Sequence, residues 1–171
     1  LGVFAGKVLD RGNFHITSRM RLSRQDPEQK PIMMNVKVRA HYYEFDMQDK
    51  KFFGDGVITG YGTIHGKQVF LFAYDFTVLG GTLSEMGDKK ITKVMEHATK
   101  VGSTIIGIAD SGGARIQEGI LSLDGFASIF YHNQLAAGVV PQITISVGPS
   151  AGGAVYSPAM TDFVIMADKI A

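Results

Sequence analysis

The stretch that decides the fold runs Thr104-Ile105-Ile106-Gly107-Ile108-Ala109-Asp110-Ser111-Gly112-Gly113-Ala114-Arg115. A β-branched, apolar run leads into a glycine turn, and a segment of helical character follows. The same order recurs at Ile143 to Val147, followed by Gly148-Pro149-Ser150-Ala151-Gly152-Gly153-Ala154. A strand, a glycine turn and a helix start leave backbone N–H groups without intrahelical acceptors, and these stabilise an oxyanion or a phosphate. Glycine also lets a ligand approach the main chain, because no Cβ intervenes. Two such loops point to an acyl or phosphate ligand held mainly by backbone amides. Their spacing, Gly113 to Gly153, hints at stacked β/α turns of a superhelix.

Working outward, Val57 to Ile64 is β-rich, His65-Gly66 reads as a tight turn, and Lys67 to Phe76 reads as a second strand. That pattern predicts a hairpin. Gly80-Gly81-Thr82 precedes a helix expected from about Leu83 to Lys100. Ile91, Val94, Met95 and Ala98 share one face of it, and Gly102 is its expected stop. Beyond the first glycine loop the pattern predicts a helix at about 114–121 and another at about 123–137. A short helical run, 153–160, is interrupted by Pro158, and Thr161 to Ala167 reads as a last strand. Alternating strands and helices place the chain in the α/β class.

Residues 1–40 read as an N-terminal extension. It holds the exposed-loop composition Ser23-Arg24-Gln25-Asp26-Pro27-Glu28-Gln29-Lys30-Pro31, and Met34 to Val38 reads as a short strand. The chain has 171 residues, 45% hydrophobic and 19% charged, which suits one globular domain. A net charge of +1 gives no support to nucleic-acid binding. Without cysteine there is no thiol nucleophile and no Cys-ligated metal. The five histidines lack metal-ligand spacing, so no metal site is expected. No apolar run is long enough to span a membrane, and the start does not resemble a signal peptide. The lack of cysteine fits a reducing compartment, and the localisation, cytoplasm or mitochondrial matrix, stays open.

From the residues alone, several roles stay open. Arg115 has the reach for a phosphate, and equally for Glu118 one helical turn on. Asp110 suits a turn cap. The N–H groups of Gly153 and Ala154 suit an oxyanion hole. Ser157 lacks the G-x-S-x-G setting and precedes proline, so a structural role is favoured. His132 is expected on the solvated side of its helix. No acid/base pair or triad stands out. The chemistry is then either enolate stabilisation by amides or absent.

Four segments carry a resemblance: Phe53 to Gly62, Asp75 to Met86, Asp110 to Gly119, and Gly148 to Phe163. Together they resemble the carboxyltransferase subunits of biotin-dependent acyl-CoA carboxylases. Within these they are most similar to the group of propionyl-CoA carboxylase, methylmalonyl-CoA decarboxylase and transcarboxylase. The match covers about residues 41–167, and Ala114 to Gly119 has the propionyl-type wording. The resemblance implies a crotonase-like fold of β-β-α units wound into a superhelix. It implies that residues 41–171 are the incomplete N-terminal domain, which binds the acyl-CoA. Gly153 and Ala154 would hold the thioester enolate, Gly152 would belong to the same loop, and Gly112, Gly113, Ala114, Arg115 and Ile116 would lie along the CoA. Biotin would arrive on a carrier protein or domain with its biotin carboxylase partner. The assembly would be a homo-oligomer, hexameric in the family.

Three departures accompany the resemblance. Gly87 stands where the family often has histidine, residues 15–40 fit poorly, and the second, biotin-side domain is not among these residues. A truncated, non-catalytic subunit with an assembly role is the alternative expectation.

Overall fold

The computed structural model describes residues 53–171 and the backbone of residues 14–16. The expected loop at 23–31 and strand at 34–38 lie outside the described residues. Six strands form one sheet in sequence order: β1 (Phe14–Ile16), β2 (Val57–Ile64), β3 (Lys67–Tyr74), β4 (Thr104–Ser111), β5 (Gln142–Ser150) and β6 (Phe163–Met166). β1, β2 and β3 pair antiparallel, and β3 to β6 pair parallel. The parallel neighbours are joined through helices α1 (Glu85–Val101), α2 (Ile120–Ala136) and α3 (Gly153–Ala159). A parallel pair requires such a crossover.

The β2–β3 hairpin turns at His65 and Gly66, with φ of 49° and 76°. Two successive left-handed residues are what a two-residue hairpin of this kind demands. α1 starts on Ser84, whose hydroxyl accepts from the N–H of Gly87 at 2.8 Å, and stops at Gly102 in the left-handed conformation. Its expected apolar face, Ile91, Val94, Met95 and Ala98, is buried. That face packs with Phe70, Phe72 and Tyr74 of β3 and with Phe126 and Ile129 of α2 in one core. Gly107 sits mid-strand because a Cβ there would lie 2.7 Å from the Phe72 ring.

One expectation fails. The two helices expected at 114–121 and 123–137 are a single helix, α2, preceded by a three-residue 3-10 turn at Ile116–Glu118. Gly119, with φ 54° and ψ −127°, separates the two. Arg115 is extended, with φ −74° and ψ 103°, and its N–H donates to Leu83 O at 3.0 Å and Ser122 Oγ at 2.7 Å, which holds the segment beside Leu83 instead of in a helix. Tertiary bonds override the local helical tendency.

Candidate functional site

The two glycine loops follow neighbouring parallel strands, and the sheet brings them together. Ser111 pairs with Ser150 across a register shift, and the N–H of Ala151 donates to Ser111 O at 3.1 Å. Gly113, at φ 96°, comes so close to the second loop that a Cβ would lie 2.8 Å from Ala151 O. The site therefore lies outside the carboxyl ends of β4 and β5, where open α/β sheets bind ligands. Gly112, Ile116, Ala151 and Gly152 are exposed along this edge.

The first loop is stapled to a third segment. The N–H of Gly112 donates to Gly80 O at 2.8 Å, and the N–H of Leu83 donates to Gly113 O at 2.8 Å. Gly113 N–H is taken by Ser111 Oγ at 3.2 Å. Ala114 bridges to Leu83. Gly81 tolerates this approach only as glycine, since a Cβ would lie 2.2 Å from Asp110 O. Most amides of this loop are thus committed within the protein, although Gly112 and Ile116 present surface to the edge.

Arg115 corrects an expectation. Its side chain is 0% exposed, so the guanidinium does not reach a surface phosphate. It ion-pairs with Asp55 and, at 3.2 Å, with Glu118, and donates to Thr82 O at 3.0 Å. The second of the two readings left open by the sequence, the Glu118 pair, is the one found. Glu118 in turn accepts from the N–H of Glu85 at 2.8 Å, and burial raises its pKa. Lys90 donates to Gly54 O and Val57 O, and burial brings its pKa down to about 8. The Glu118 pairing was legible at i+3. Asp55, sixty residues away in sequence, carried no such signal.

The second loop is shaped by backbone. Gly152 has φ 54° and ψ −128°, and the N–H of Ala154 donates to Ala151 O at 3.1 Å, which closes a type II′ turn. Gly153 opens α3, so its N–H has no intrahelical acceptor. Of the two expected oxyanion donors, Gly153 is at the start of α3 and Ala154 has its N–H engaged by Ala151. Gly153 is glycine for a packing reason as well: a Cβ would lie 2.5 Å from Cγ of Phe126.

Ser157 is buried and donates to Asn133 Oδ1 at 2.9 Å. Asn133 Nδ2 donates to Gln142 Oε1 at 2.9 Å, and Gln142 Nε2 returns a bond to Asn133 O at 3.0 Å. This bonding fits the structural role favoured for Ser157. His132 is not on a solvated face. It lies partly buried between α1 and α2, with Nδ1 2.8 Å from Ser128 O and Nε2 3.4 Å from Glu96. Asp110 forms no cap: its Oδ1 is buried without a hydrogen-bond partner beside Gly148, and desolvation raises its pKa.

The four motif segments thus meet in one place, as the resemblance implies, and residues 7–171 match the family described as carboxyl transferase domain. The chain belongs to that family. It is 60% identical over 155 residues to a propionyl-CoA carboxylase beta chain of Roseobacter denitrificans, covering 91% of this chain and 30% of the relative. It is 49% identical over 151 residues to the methylmalonyl-CoA decarboxylase subunit alpha of Veillonella parvula, covering 88% and 30%. Among solved structures it resembles transcarboxylase 12S, a hexamer assembly with methylmalonyl-coenzyme A and methylmalonic acid bound. There the TM-score is 0.72 and the identity 48%, over 75% of this chain and 25% of that one. The fold is the crotonase-like α/β fold of these carboxyltransferases. The chain spans about 30% of the length of the curated relatives it matches.

Proposed function

We propose that this chain contributes the acyl-CoA side of a biotin-dependent carboxyltransferase of the propionyl-CoA and methylmalonyl-CoA type. The carrying observation is the juxtaposition of two glycine loops at the carboxyl ends of β4 and β5, with Gly153 of the second loop at a helix start. The exposed edge made by Gly112, Ile116, Ala151 and Gly152 suits the CoA pantetheine, and Gly113 and Ala114 set its course. The thioester oxygen sits at the Gly153 N–H. As the α-proton leaves, negative charge develops on that oxygen, and an amide aimed at it at a helix N-terminus stabilises the enolate. The Ala154 N–H contributes as a shared second donor, a common arrangement at helix ends. By family likeness, carboxybiotin would supply the CO2 for the α-carbon, and its ureido nitrogen, as it gives up CO2, would take the α-proton. No side-chain base is required of the described residues.

Assembly follows the same likeness. Tyr131, Leu135, Val155 and Tyr156 of α2 and α3 are exposed, as are all four residues of β6. An apolar surface of this extent suits contact with other parts of a homo-oligomer.

Isothermal titration of the full polypeptide with propionyl-CoA tests the reading. Saturable binding is expected well below roughly 1 mM. No heat of binding up to that concentration refutes an acyl-CoA site here.

A further inference from the structure

We propose that Arg115 is a positioning residue that holds the acyl-CoA loop from beneath, through a buried and charge-balanced cluster with Asp55, Glu118 and Lys90. The inference rests on the acyl-CoA reading of the first glycine loop.

The cluster joins three segments distant in sequence. Gly54, Asp55 and Gly56 form a turn with three successive positive φ values, 75°, 53° and 74°. Asp55 is the non-glycine member, and aspartate is among the few residues that accept this conformation. Its Oδ1 takes the Arg115 Nη1 and its Oδ2 takes the Ser84 hydroxyl. Ser84 is also the N-cap of α1. Glu118 places one oxygen 3.2 Å from Arg115 Nη1 and the other 2.8 Å from the N–H of Glu85. Lys90, one turn further along α1, donates to the carbonyls on either side of the Asp55 turn. Two cations and two carboxylates leave the cluster balanced, and all are withdrawn from solvent to some degree. Buried charges survive only when paired and hydrogen-bonded in this way.

The consequence concerns the two residues between the anchors. Arg115 and Glu118 bracket Ile116 and Gln117, and Ile116 is 74% exposed at the proposed CoA edge. Arg115 fixes one end of that segment by its backbone, through Leu83 O and Ser122 Oγ, and by its guanidinium, through Asp55 and Thr82. Glu118 fixes the other end. The guanidinium itself touches no ligand. It determines where the exposed segment stands, and so it acts on acyl-CoA affinity more than on the chemical step, which belongs to the second loop.

The test uses the full polypeptide in its assembled enzyme, with Arg115→Met, Arg115→Lys, Glu118→Gln and, as a stability control at the far end of the sheet, Val140→Ala. Readouts are the propionyl-CoA Kd by calorimetry, kcat and KM, and the melting temperature. Arg115→Met is expected to raise Kd and KM about tenfold or more while kcat at saturation stays within about threefold. Arg115→Lys and Glu118→Gln fall between it and the wild type, and Val140→Ala lowers the melting temperature without moving Kd. Should Arg115→Met fail to fold, Arg115→Lys and Glu118→Gln decide by the same criterion. Folded variants with wild-type Kd, or a Kd loss matched by Val140→Ala at equal loss of melting temperature, overturn the inference. A wild type that binds no propionyl-CoA overturns the functional reading instead.

Discussion

From the last residue of β4 the chain reads Ser111-Gly112-Gly113-Ala114, and after β5 it reads Ala151-Gly152-Gly153-Ala154. The letters are nearly the same, and both stretches follow parallel strands of one sheet. Yet the first loop is held by side chains and by bonds to residues far away, among them Ser111 Oγ, Ser122 Oγ, Arg115 and Glu118. The second is shaped by its own backbone, with a positive φ at Gly152 and a turn closed by Ala154 and Ala151. The first loop is anchored through many side chains, whereas the second turns on its own main chain and places Gly153 at the start of α3. On the proposed function the pair divides scaffold from chemistry, and each half is expected to fail in a different way when altered.

The largest expected effect is at the second loop. Gly153→Ala drives a methyl into the Phe126 ring, and overpacking of this kind costs about 1–3 kcal/mol. Because the change leaves the Gly153 N–H in place, Phe126→Ala, which removes the Cγ that a leucine would keep, makes room for the methyl, so the double variant is expected to lose less stability than the two single variants summed and to keep carboxyl transfer. Chemical denaturation of the single and double variants, paired with assays, checks this. Activity that stays lost in a folded double variant breaks the assignment of the chemistry to the amide.

On the first loop's side the sensitive feature is a titration. α1 and α2 cross where Gly125 meets Asp88: a Cβ on Gly125 would lie 2.9 Å from that of Asp88. Asp88 is buried, its Oδ1 has no hydrogen-bond partner, and burial lifts its pKa from 3.8 to about 7. Between those values the folded state binds more protons than the unfolded chain, so stability falls as pH rises through that window. Asp88→Asn removes the decline and is expected to gain about 1–3 kcal/mol at pH 8, because the amide carries no charge to desolvate. Urea melts from pH 4 to 8 measure it, and an unchanged slope in the variant counts against a buried, protonating Asp88.

The smallest effect is Ser157→Ala, which loses the bond to Asn133 and costs about 1 kcal/mol. Carboxyl transfer is expected to persist at a substantial fraction of the wild-type rate. Its abolition in a well-folded variant would make the second loop depend on a side chain, and the contrast between the loops would collapse.

Local pattern determined a good deal of this protein. The hairpin turn at His65-Gly66, the buried stripe of α1, the Gly102 stop and the strands flanking both glycine loops follow from alternation, helical period and glycine's access to positive φ. Those are properties of neighbouring residues, so neighbouring residues reveal them. The motif segments likewise announced the family. What the sequence could not show was decided by contacts across dozens of positions. Ala114 to Leu121 reads as helical by local tendency, but Ala114 pairs with Leu83 and Arg115 is held extended beside it. The reach of Arg115 toward a phosphate was sterically open, but Asp55, sixty residues earlier, claims the guanidinium. Gly153 is glycine partly because the Phe126 ring of another helix occupies the space of its Cβ. Such contacts depend on which segments the sheet brings side by side, and only the folded chain sets that.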